Sequence, residues 1–107
     1  MKYYMLIAVA GIFLFSLSAL AEDGQTTFNT LHCGICHKPD TGASMPSLKE
    51  ISAAYKGKED QLSSYLKGDS EPLVNPQKKG TMTVFIEKTK KLDDGQRKDL
   101  ADFILSH

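Results

Sequence analysis

The stretch LHCGICHK, residues 31–38, holds both cysteines of the 107-residue chain and two of its three histidines. Three chemistries use two thiols three positions apart. A zinc site takes Cys and His ligands, but usually draws a second pair from a distant segment. His107 is the one histidine outside the stretch, and no third cysteine is present to complete such a site. A structural disulfide would close a very small loop and remove little chain entropy. A thioredoxin-like redox pair should follow a strand in a βαβ setting, and no strand pattern precedes Cys33. Covalent haem attachment needs Cys-x-x-Cys-His in this order. Each thiol, Cys33 and Cys36, adds to one haem vinyl group, and His37 is then held beneath the ring with its imidazole toward the iron. The third chemistry fits the pattern best.

The chain N-terminal to this stretch supports that reading. One lysine, Lys2, precedes an uncharged run from Met5 to Leu20, and Ala19-Leu20-Ala21 leads into Glu22-Asp23. A basic start, a short apolar run and a small-x-small exit describe a secretory signal peptide, expected to be residues 1–21. The run is somewhat short for a bilayer-spanning anchor. The expected mature domain is residues 22–107. It holds twelve Lys/Arg and thirteen Asp/Glu, a formal charge of −1, unlike the strongly basic surface of a nucleic-acid binder. It has no Trp and few large apolar residues. A chain this small usually needs a staple, a metal or a large cofactor.

Residues beyond the stretch read as short helices. The first is expected over Gln25–Cys36 with Asp23 as cap. The second spans Leu48–Lys56, where Ser47 and Glu50 have capping-box spacing. The third covers Glu59–Lys67, between an acidic first turn and Gly68. Residues 69–82 read as a loop, broken by Pro72, Pro76 and Gly80. Thr83–Thr89 suits either a strand or a helical turn. The last helix, Asp94–Ser106, has Asp93 as cap and a Leu100, Phe103, Ile104 stripe. Phe28, Leu31, Leu100, Phe103 and Ile104 are expected core between the terminal helices. Leu48, Ile51, Tyr55, Leu62, Tyr65, Leu66, Val84 and Phe85 are expected to line a cofactor. The expected fold class is all-α.

Cys33-Gly34-Ile35-Cys36-His37, Pro46-Ser47-Leu48, a late methionine and the ending Leu100-Ala101-Asp102-Phe103-Ile104-Leu105-Ser106 occur in an order that resembles the small monohaem class I cytochromes c of bacteria. The likeness covers nearly all of residues 24–107. It implies about four short helices around one covalently attached haem c, with crossing terminal helices. It implies that a methionine sulfur binds the iron opposite His37, and it favours Met82 over Met45. It also puts the Pro46 carbonyl on the His37 side, accepting the bond from the imidazole's second nitrogen and so orienting the ring. Met45 stands where the family often has Gly, and Thr83 where proline often follows the ligand methionine.

With His37 and Met82 both bound, the iron has no open position, so the expectation is one-electron carriage rather than catalysis. Its partners would be respiratory redox proteins, met in the periplasm by a soluble monomer. Lys38, Lys78, Lys79, Lys88, Lys90 and Lys91 flank the two ligand segments; they could steer acidic partners or simply be solvated. Two alternatives remain: a ligand-binding or enzymatic haem protein with a weak sixth ligand, and a zinc or dithiol module without haem.

Overall fold

The computed structural model describes residues 23–42 and 45–107, so the expected signal segment lies outside the described residues. Among the described residues five α-helices follow one another: α1 (Asp23–Thr30), α2 (Leu48–Ala54), α3 (Glu59–Leu66), α4 (Lys79–Thr89) and α5 (Asp94–Leu105). Single 3-10 turns occupy Cys33–Ile35 and Pro76–Lys78. No strand occurs among the described residues, in agreement with the all-α expectation.

α1 is shorter than its periodicity suggests. The Leu31 N–H still reaches Thr27 O at 3.0 Å, but the His32 N–H turns to Asn29 O at 3.1 Å. His32 adopts a left-handed backbone, φ 60° and ψ 28°, a conformation uncommon outside glycine and one that ends a helix. The chain then coils around one carbonyl: Cys36 N–H and His37 N–H both donate to Cys33 O, at 3.3 and 2.9 Å. Breaking the helix at His32 is what allows the Cys33–His37 segment its tight turn. α1 begins at Asp23 and not at Gln25, so Asp23, expected as the cap before it, is a residue of the helix; its side chain lies outside the described portion.

α2 begins as its capping box predicts. Ser47 Oγ accepts from Glu50 N, and Glu50 Oε1 accepts from Ser47 N, both at 3.1 Å. Ser47 is fully buried, so water cannot replace its hydroxyl. Ser47→Ala is therefore expected to cost about 1 kcal/mol. The check is a lower urea midpoint at unchanged slope, and an unmoved midpoint would refute it. α5 starts on the same device, with Asp93 Oδ1 accepting from Gln96 N at 2.7 Å. Gly68, with φ 85°, stops α3 as expected; a side chain there would strain the left-handed backbone.

The expected loop 69–82 is corrected. It is irregular only to Asn75; after the 3-10 turn, α4 carries the chain from Lys79 through Met82 to Thr89. Thr83 supplies a backbone N–H where proline would have none, so a helix can run through it. Met82, Phe85, Ile86 and Thr89 are spaced i, i+3, i+4, i+7 and face inward, half-buried or buried. Val84 falls off that stripe and is 63 % exposed, so it does not line the interior as expected. Gly80 is tolerated because α4 is exposed at its start.

The terminal helices cross, and α1 with α5 is the most extensive helix pair. Gly24 makes that approach possible: a Cβ there would lie 2.1 Å from Asp99 O and 2.9 Å from Phe103 Cβ. Phe28 and Phe103 rings meet beside it, centroids 5.1 Å apart. Phe28, Leu100 and Ile104 are buried and join Leu48, Tyr55, Leu62, Leu66, Ile86 and Ala101 in one core. Leu31 instead lines an interior cleft.

Candidate cofactor site

The core does not close. An apolar cleft of about 720 Å³, its open mouth included, runs between the helices. Each element supplies part of its wall: Phe28 and Leu31 from the first helix and its end, Leu48, Ile51 and Tyr55 from α2, and Leu62, Tyr65 and Leu66 from α3. Met82, Phe85 and Thr89 of α4 and Leu100 and Ile104 of α5 complete it. Walls so apolar suit a large flat hydrophobic occupant.

The chemistry-bearing residues gather at this cleft. Cys33, His37, Pro46 and Met82 all line it, and Cys36 joins Cys33, His37 and Met82 around an adjoining cavity. The two cysteines form no disulfide with each other; Cys33 is half-buried and Cys36 exposed. Burial pushes the Cys33 thiol up from its ordinary value; its backbone hydrogen bond and Lys88 only partly offset this. His37 Nδ1 donates to Pro46 O at 2.8 Å. A carbonyl only accepts, so the proton sits on Nδ1, which leaves the Nε2 lone pair available as a ligand. Tight pairing holds the Pro46 segment in place: Leu48 N–H donates to Lys38 O at 2.8 Å and Lys49 N–H to Pro39 O at 3.1 Å.

The two candidate methionines differ in placement. Met82 lines the main cleft and two cavities beside it, whereas Met45 lines only the flanking two. His32 is exposed and lines one flanking cavity. Among the described residues, no group of three or more His, Cys, Asp or Glu is gathered as a metal cluster would require. Two residues at the site carry no signal in the motif. Thr89 lines the cleft while its hydroxyl donates to Leu66 O at 2.5 Å. Arg97, behind it, is 6 % exposed. The i+7 spacing from Met82 could have found Thr89; Arg97 looks like an ordinary polar residue of an amphipathic helix.

A small all-α domain with an apolar interior cleft and Cys-x-x-Cys-His on its wall is a c-type haem domain. The chain belongs to the cytochrome c family, whose model matches residues 21–107, and it is a small monohaem class I cytochrome c with one covalently bound haem c. It is similar to cytochrome c-551 of Stutzerimonas stutzeri, with 38 % identity over 61 residues, 54 % of this chain and 59 % of that protein. The chain thus spans about three-fifths of the length of that curated relative.

Proposed function

We propose that this protein is an exported one-electron carrier whose haem is held by thioether bonds to Cys33 and Cys36 and ligated by His37 and Met82. The observation that carries the reading is the convergence of Cys33, Met82 and the Pro46-oriented His37 on one apolar cleft. Bound there, the haem supplies an iron that alternates between ferrous and ferric states. The chain's residues do the rest. Pro46 O fixes the His37 ring and raises its basicity as a ligand. The thioether of Met82 is soft and favours the ferrous form, and the apolar walls exclude water, so both raise the potential. With both axial positions filled, no substrate can bind the iron, which supports carriage over catalysis.

In this reading residues 1–21 are a signal peptide, the mature domain is 22–107, and the protein works in the periplasm as a monomer. Respiratory oxidoreductases would be its donors and acceptors. Lys38, Lys88 and Lys91 are exposed and available to steer acidic partners, and exposed Lys90 pairs with Glu87 at 3.5 Å; the Lys78 and Lys79 side chains lie outside the described portion. Ile35 is 69 % exposed beside exposed Cys36, an apolar spot against which a redox partner can seat.

Carbon monoxide binding to the reduced holoprotein tests the ligand set. Wild type should bind it slowly and weakly. Met82→Ala should bind it at least about a hundredfold faster, because the sulfur must otherwise leave first. Equally fast binding by the two proteins would mean that Met82 is not a firm ligand, and would favour a ligand-binding haem protein.

A further inference from the structure

α4 carries Met82 in its first turn, yet it has little apolar grip on the rest of the protein. Of its described residues only Ile86 and Thr89 are buried, and its helix neighbour is chiefly α3. The stronger fastening is polar and sits at the opposite end. The Thr89 hydroxyl donates to Leu66 O, the last carbonyl of α3, at 2.5 Å, with Ile86 O within reach at 3.2 Å. Arg97 projects from α5 and its Nη1 donates to the carbonyls of Thr89 (3.2 Å), Lys90 (3.0 Å) and Leu92. Its Nη2 is held by Asp94 Oδ1. A buried cation thus closes the negative end of the α4 dipole and satisfies carbonyls that the helix leaves open.

This fastening fixes more than stability. Thr89 follows Met82 by seven residues, about two turns, so both lie on one face of α4. Both line the main cleft. A slip of one residue at Thr89 would rotate the helix by about 100° and carry Met82 off the cleft wall. The segment before its helix is irregular over 69–75 and is held at Leu73, whose N–H donates to the Tyr55 hydroxyl at 3.0 Å; the bonds of Thr89 and Arg97 act on α4 itself.

We propose that Arg97 and Thr89 are positioning residues for the Met82 sulfur: by pinning the register of α4 they hold the sulfur at the iron. The inference rests on Met82 being the second axial ligand. Any added ligand competing for that position binds in proportion to the fraction of molecules with the sulfur displaced. Loss of the clamp raises that fraction.

The test is a titration of the oxidised holoprotein with imidazole, alongside the weak charge-transfer absorption of a sulfur–ferric bond. Arg97→Met and Thr89→Val should each bind imidazole about tenfold tighter than wild type, with a weakened charge-transfer band. If Arg97→Met does not fold, Thr89→Val, close to isosteric, carries the test. Ser52→Ala serves as the control. It removes a hydrogen bond of 3.1 Å from Ser52 Oγ to Leu105 O, joining α2 to α5 away from α4, and should leave imidazole affinity unchanged. Equal tightening in Ser52→Ala would reduce the effect to general loosening and overturn the proposal. Wild-type affinity in both clamp variants, with strong tightening in Met82→Ala, would overturn the clamp and leave the ligand assignment standing. No tightening in Met82→Ala would overturn both.

Discussion

The double variant Cys33→Ala/Cys36→Ala is expected to emerge without covalent haem and without a cooperative fold. The two cysteines are not bonded to each other and sit beside the apolar cleft. Without thioether bonds, haem is held only by its axial ligands and apolar contact, and it can dissociate on dilution. The protein around it is poorly able to stand alone. Among the described residues nine apolar side chains are buried, and most of them wall an apolar cleft that opens to solvent. Large apolar voids are costly because their walls lose contact on one side, and domains of this size have little surplus stability to absorb that loss. The denatured double variant should show the bare polypeptide mass. Its thermal unfolding should be broad, with a sharper transition restored by added haem. A sharply melting double variant with no haem present would show that the helices pack without the cofactor.

Gly24→Ala should be the most destabilising single-methyl change in the terminal helices. The added Cβ would sit 2.1 Å from Asp99 O and 2.8 Å from its carbon. Neither backbone atom can rotate away, so α1 and α5 must separate. Overpacking of this kind costs about 3 kcal/mol; alanine's better helix propensity returns about 1 kcal/mol at most. The net loss of about 2 kcal/mol corresponds to a Tm lowered by about 8–16 °C. Gly80→Ala is the matched control. Nothing lies within 4 Å of its added Cβ, so propensity alone should act and Tm should hold or rise slightly. Equal behaviour of the two variants would show that the helices do not cross at Gly24.

The helices were legible wherever a local device marks them. Ser47 with Glu50, Asp93 with Gln96, and Gly68 each satisfy or end a helix using atoms within a few residues, so spacing alone announces them. His32 and Met82 were harder. No pattern marks His32 as left-handed; that backbone is stabilised by the turn it opens toward Cys33. Met82 falls at the end of the expected loop because Pro72, Pro76 and Gly80 break the helical period before it. The inward stripe of Met82, Phe85, Ile86 and Thr89 was present in the sequence, but its partners on α3 and α5 come from elsewhere in the chain.

By itself the sequence determined the attachment chemistry, because Cys33, Cys36 and His37 act within one turn and need no distant residue to define them. It also determined the all-α class, since the period of the apolar residues is a local property. Only the tertiary structure decided that Gly24 is a contact surface, that Arg97 is buried, and that Met82 stands on a helix anchored from its far end. Those three depend on which segments meet, and that is fixed by packing around one cleft, over separations that local spacing does not encode.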